Sequence, residues 1–141
     1  MTVAVKRVYE PARRADGARL LVDRLWPRGL TKARAAVDEW LRELAPSDEL
    51  RRWYHARPNH WAAFRKKYLK ELASPEAEVA LRRLYHLSHK RRRLTLLFAS
   101  KNEDRNNAVV LKELLEGMRK PPTGTGPGAV HALRRQAARR R

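Results

Sequence analysis

Two short apolar segments, Leu20-Leu21-Val22 and Leu94-Thr95-Leu96-Leu97-Phe98-Ala99, constrain this chain more than any other feature. Neither alternates polar with apolar residues, so each reads as a strand covered on both faces rather than one with a wet side. Helical periodicity fills much of the sequence between them, and strands joined through helical crossovers pair in parallel. The expected fold class is therefore α/β: a compact single domain with a small, largely parallel central sheet flanked by helices, the two apolar segments being central neighbours.

The other elements follow from local chemistry. Val3, Val5 and Val8 with Tyr9 suggest a first strand, and Ala18 to Arg24 a second. Thr31 is a cap for a short helix beginning at Lys32. Residues 37–44 are ambiguous: Val37, Trp40, Leu41 and Leu44 fit helical spacing, but the segment is short and stops at Pro46. Ser47 is placed to cap Asp48 to His55, and Asn59 to cap His60 to Leu72. Ser74-Pro75 opens a further helix whose expected apolar stripe is Val79, Leu84 and Leu87. A last helix starts at Asn102 or Asp104 and carries Val109, Val110, Leu111, Leu114 and Leu115, with Gly117 as its C-cap.

Polar chemistry follows each buried strand at once: Asp23, Arg24, Trp26 and Arg28 after one, Ser100, Lys101, Asn102 and Asp104 after the other. Pro27 removes a backbone donor and Gly29 permits positive φ, so the first ladder must stop in a sharp turn. In α/β proteins ligands bind outside the carboxyl ends of the strands. The N-terminus of the last helix adds free N–H groups and the positive end of its dipole. Arg24, Arg28, Lys101, Asn102 and Asn107 are thus the candidate anion-binding residues, with Trp26 as a stacking surface or pocket wall. The alternative is an ordinary strand end with Asp23 paired to Arg24, and Asn107 serving as a cap or backbone clamp.

Charge carries the second signal. Lysine and arginine total 33 against 15 acids, a net charge of +18. Residues 117–141 hold seven basic residues and no acid, leaving 26 basics against 15 acids, +11, for the rest. Such a field favours polyanions, nucleic acid above all. The chain is expected to divide into an α/β domain at 1–116 and a flexible basic arm at 117–141, where Pro121-Pro122 and a Gly/Pro/Thr-rich stretch precede Arg134, Arg135 and Arg139 to Arg141.

Several chemistries are set aside. The absence of cysteine excludes disulfides, thiolate nucleophiles and sulfur-ligated zinc. His55 and His60, and His86 and His89, have no acidic partner at metal spacing, so no metal is expected, and no cofactor is implied. No glycine-rich phosphate loop has strand–helix context. No apolar run approaches a membrane span, and the opening Met1 to Val5 reads as a strand rather than a signal peptide. A soluble, cytoplasmic protein without membrane contact is expected. Trp53, Tyr54, Trp61, Phe64 and Tyr68 interleave with basic residues, which suits stacking on bases, but aromatics at helical spacing are more often core.

Gly17-Ala18-Arg19, Leu21-Val22-Asp23-Arg24-Leu25-Trp26-Pro27-Arg28-Gly29, Leu44-Ala45-Pro46-Ser47, Phe98-Ala99-Ser100-Lys101-Asn102 and Asn107-Ala108-Val109-Val110-Leu111 together resemble the YeaO-like proteins, a bacterial family within a larger group of unknown function. The resemblance covers roughly residues 3–116 and implies a compact α/β domain with no established activity; some relatives carry a label as MarR-type transcription regulators. The other branch of that group tends to carry a Cys-His-Arg motif at the start of the last helix, where this chain has Asn106, Asn107 and Ala108. Covalent catalysis at that point therefore lacks its nucleophile.

Three functions remain. The chain is expected to bind nucleic acid or another phosphate-bearing polyanion through its basic surface. The alternatives are a small enzyme acting on a phosphorylated or anionic metabolite at Arg24, Arg28 and Lys101, or a transcription regulator, which would need an exposed reading helix within 47–88. Oligomeric state is not legible.

Overall fold

A computed structural model describes residues 2–122. Four strands among them, β1 (Thr2–Arg7), β2 (Ala18–Leu21), β3 (Glu39–Trp40) and β4 (Arg93–Phe98), form one sheet in the order β1-β4-β2-β3. Every pairing is parallel. Ala18 lies opposite Leu94 and Leu21 opposite Leu97, so the two apolar segments are adjacent central strands, as their composition requires. The helices are α1 (Lys32–Ala35), α2 (Asp48–Ala56), α3 (Trp61–Glu71), α4 (Pro75–Lys90) and α5 (Asn107–Gly117).

Alternation along the strands builds two unequal faces. Val3, Leu20, Val22, Leu94, Leu96 and Phe98 belong to the main core, which also takes in residues of α2 to α5. The opposite face is smaller: Val8, Leu21 and Leu97 pack with Ala35, Trp26, Leu30, Val37 and Trp40. In its other half this face is polar. Arg19, only 4% exposed, donates to Asp16 at 2.6 Å and to the carbonyls of Ala35 and Ala36, and Lys6 reaches the same carboxylate. Thr95 donates its hydroxyl to the Asp16 carbonyl at 2.7 Å. Each buried charge is paired, which is the condition for keeping it there.

The caps expected at Thr31, Ser47 and Ser74 all form, their hydroxyls accepting the N–H of Arg34, Leu50 and Ala77. Other expectations are corrected. β2 ends at Leu21, not Arg24, because the chain turns into the Asp23–Leu30 loop. Residues 37–44, ambiguous from the sequence, form the two-residue β3 and a 3-10 turn at Arg42–Leu44. Asn59 caps nothing; His60 stands at the N-cap of α3 without a side-chain bond. Val79 is 72% exposed, and the buried stripe of α4 is Ala77, Ala80, Leu81, Leu84 and Leu87.

The last helix starts at Asn107, later than expected, with Asn106 as its cap. Gly117 is its final residue and Met118 its C-cap, at a negative φ that needs no glycine. Met118 is buried in the main core and Tyr85 donates to the Arg119 carbonyl at 3.3 Å, so the folded unit continues past residue 116. The rest of the expected arm, 123–141, lies outside the described residues. Among the described residues no helix is long and apolar enough to cross a membrane.

Candidate functional site at the carboxyl end of the sheet

Because all four strands run the same way, the residues after β1, β2, β3 and β4 gather at one end of the sheet. Asp23 organises it. One carboxylate oxygen accepts the Ala99 N–H at 2.8 Å, and the other accepts the Asn107 side-chain amide at 3.1 Å. The same Asn107 amide donates to the Val22 carbonyl at 2.8 Å, and the Trp40 indole donates to the Asp23 carbonyl at 2.7 Å. These bonds tie the end of β2 to β3, to β4 and to the first turn of α5. Burial pushes the Asp23 carboxyl above its usual range; the Ala99 N–H, the Asn107 amide and the charge of Arg51 oppose that rise without cancelling it.

The turn after Asp23 is fastened from three sides. The Trp26 indole donates to the Leu30 carbonyl at 2.7 Å, closing the turn on itself, and its ring meets Trp40 edge-on at 5.4 Å. Trp26 is therefore part of the wall on the smaller sheet face. Tyr9, beyond β1, donates its hydroxyl to the Arg28 carbonyl at 2.9 Å. Gly29 takes φ 82°, the positive value that the Pro27–Gly29 turn requires.

The candidate cations share this end of the sheet but no common partner. Arg24 does not pair with Asp23; its Nε donates to the Pro46 carbonyl at 3.3 Å, toward the start of α2. Arg28 is exposed and only its main chain is engaged. Lys101 is exposed and, among the described residues, has no hydrogen bond or ion pair. Asn102 is exposed, and its side-chain oxygen accepts the N–H of Asp104 and Arg105 at 3.1 and 3.0 Å. That shapes the loop before α5 and occupies two donors that an anion could otherwise have taken. Asn106, not Asn107, caps the helix, accepting the Val109 N–H at 3.1 Å. Asn107 is the clamp already described, its amide hydrogens turned onto Val22 and Asp23.

Sequence reasoning missed Arg7. Its guanidinium donates to the carbonyls of Ser100 and Ala99 at 3.0 and 3.1 Å and lies 5.1 Å from the Tyr9 ring centroid, holding the loop after β4 from the β1 side. The signal was available: Arg7 ends a strand and is followed by Val8 and Tyr9. What was not available was that β1 would neighbour β4. Among the described residues no group of three or more histidines and acids is placed to hold a metal.

The aromatics of α2 and α3 divide by depth. Phe64 and Tyr68 are buried, Tyr68 donating to the Leu44 carbonyl, while Tyr54 stacks on Phe64 at 4.3 Å. Trp53 is half-buried beside a groove of ≈ 380 Å³ with Ser47, Leu50, Lys67 and Glu71, and its ring is already faced by Arg57 and Lys67.

The family model described as the inactive DUF488-N3 subclade matches residues 2–124. The uncharacterized protein YeaO of Escherichia coli (strain K12) is 47% identical over 118 residues, covering 84% of this chain and 100% of its own. The uncharacterized proteins Mb3100c of Mycobacterium bovis and Rv3073c of Mycobacterium tuberculosis are each 41% identical over 115 residues, 82% of this chain and 94% of theirs. No solved structure matches.

Proposed function

Because the chain belongs to the DUF488-N3 family, in the subclade described as inactive, and is YeaO-like, we propose that it is a binding module rather than an enzyme, one that engages nucleic acid or another phosphate-bearing polyanion through its basic surface. The observation that carries this reading is charge left unpaired. Lysine and arginine number 33 against 15 acids, and the eight ion pairs among the described residues engage eight of those cations. Unpaired surface cations sum into a long-range field that attracts polyanions and releases their counterions. The carboxyl end of the sheet supports the non-catalytic part of the reading. Asp23 there accepts from two groups of the fold itself, and neither histidine nor cysteine stands in the 99–107 loop.

The test is binding of the full chain to duplex DNA, single-stranded RNA and inorganic polyphosphate over a series of salt concentrations. Affinity that falls linearly on log–log axes for at least one of them is expected. No salt-dependent binding to any of the three would end this reading.

One observation favours the metabolite alternative: Asp23 is a carboxyl of raised proton affinity at the end of a central strand, the kind of group that functional sites assemble. Phosphate titrated into labelled protein would then shift the amide signals of Arg24, Arg28 and Lys101 together. Arg28→Ala would abolish that response without loss of stability, since the Tyr9 bond uses only the main-chain oxygen.

A further inference from the structure

The densest unpaired charge lies at the opposite end of the sheet from the site considered so far. Three stretches meet there. The 3-10 turn Arg14–Asp16 leads into β2, and its Arg13 N–H is held by the Asp16 carboxylate at 3.0 Å. That turn sits directly on the start of β4: a Cβ at Gly17 would stand 2.2 Å from the Arg93 carbonyl oxygen, and Thr95 bonds the Asp16 carbonyl. The run Lys90-Arg91-Arg92-Arg93 joins the end of α4 to β4 at the same place. The chain after α5 returns there as well, because α5 starts at the carboxyl end of the sheet and runs back. The Tyr85 bond to the Arg119 carbonyl fixes Arg119 and Lys120 beside the last turns of α4.

Arg13, Arg14, the four residues of the 90–93 run, Arg119 and Lys120 are all exposed. None makes an ion pair among the described residues. Of the acids near in the chain, Asp16 is engaged with Lys6 and Arg19, Asp38 with the Arg19 N–H and Glu116 with Lys112, which leaves exposed Glu10 as one acid against these eight cations. At the carboxyl end Lys101 and Arg105 flank Glu103 and Asp104, which offset them, and Arg7, Arg24 and Arg28 remain there without an ion pair among the described residues, fewer cations than the eight gathered here. The exposed large apolar residues, Tyr9, Leu25 and Val79, belong to none of the three stretches. A surface of cations with no stacking platform matches the backbone of a duplex, whose bases are already stacked, better than a single strand, which seeks aromatic faces.

Resting on the nucleic-acid reading above, we propose that the amino-terminal end of the sheet, built from Arg13-Arg14, Lys90 to Arg93 and Arg119-Lys120, is the face that grips the phosphate backbone of duplex nucleic acid without reading its sequence.

The experiment compares full-length variants that lose equal charge at the two ends. Lys90→Gln/Arg91→Gln/Arg92→Gln removes three cations from the amino end, and Arg28→Gln/Lys101→Gln/Arg105→Gln removes three from the carboxyl end. Arg13→Gln/Arg14→Gln, on a separate element, guards against misfolding of the first variant. The probe is a labelled random-sequence DNA duplex, titrated at several salt concentrations beside poly-glutamate. The amino-end variants are expected to weaken duplex binding on the order of tenfold at low salt and to lower the salt slope by roughly 0.9 per lost contact. The carboxyl-end variant should leave both within about twofold of the parent. Equal losses at both ends, a loss confined to the carboxyl end, or poly-glutamate bound as tightly as the duplex would each overturn the assignment while leaving salt-dependent polyanion binding intact. A parent chain that binds no nucleic acid overturns the functional reading itself.

Discussion

At Asp16, burial raises the proton affinity of the carboxyl, but the Arg13 N–H and the charges of Lys6 and Arg19 outweigh it, and the pKa falls below the usual range. Asp23 goes the other way, burial winning over its two donors. The two therefore link stability to pH with opposite signs. Asp16 contributes stability that is present above its unfolded value of about 3.9 and is lost as pH falls through the lower folded value. Asp23 costs stability as pH rises from about 3.9 through its raised folded value. Urea midpoints measured against pH check both. Asp16→Asn should lose about 3 kcal/mol at neutral pH, because Arg19 stays buried without its partner, and should flatten the acid limb. Asp23→Asn should remove the decline above about pH 4, while leaving one of its two donors opposed by another donor. An acid limb in Asp16→Asn as steep as the parent's would show that other carboxylates govern it. Asp23 also marks how far residue-level reading reaches. Its chain neighbour Arg24 was the available partner, but the partner used is Asn107, 84 positions away, and only the parallel pairing of β2 with β4 brings them together.

Among the elements, the junction between the 3-10 turn and β2 is the tightest. Gly17 has φ 64° and ψ −137°, and a methyl group there would run into the backbone of Arg93. Backbone cannot swing aside as a side chain can, so Gly17→Ala should destabilise by about 3 kcal/mol or more, read as a fall in the urea midpoint; a change within experimental error would mean the turn can lift off β4. The start of this element was legible, and so were the caps at Thr31, Ser47 and Ser74, because a hydroxyl three residues before an N–H is local chemistry. Elements that depend on distant partners were not. β3 exists because Glu39 and Trp40 pair with Leu20 and Leu21, whereas its own sequence fits helical spacing. The late start of α5 has a local cause that imitates a helix start: Asn102 gathers two N–H groups as a cap would, but Asn106 four residues on is the true cap. On α4 the stripe was misread at Val79 because alanines 77 and 80, small but buried, carry the packed face.

For the molecule as a whole, charge and core part company near residue 118. Truncation after Pro122 removes five arginines of the sequence and no core residue among the described ones; truncation after Gly117 also removes buried Met118. If the terminal arginines engage phosphates, the shorter cut should lower the salt slope of duplex binding by up to about 4.5, at roughly 0.9 per contact. The longer cut should in addition lose about 1.5–3 kcal/mol of stability relative to the shorter one, the worth of a buried methionine. Titration and thermal melting of both truncations check this; an unchanged slope would make those arginines compositional. The strand order has a consequence of another kind, in time. β4 lies between β1 and β2, so the earliest strand to be synthesised has no neighbour until residues 93–98 follow it. Until residues 93–98 follow, the sheet holds only the two-pair ladder of β2 with β3, and Val3 and Val5 wait without a partner strand. Such a domain cannot assemble stepwise from its first residues: it closes late and nearly at once, and any pause in translation before β4 leaves a hydrophobic strand seeking a partner in some other molecule.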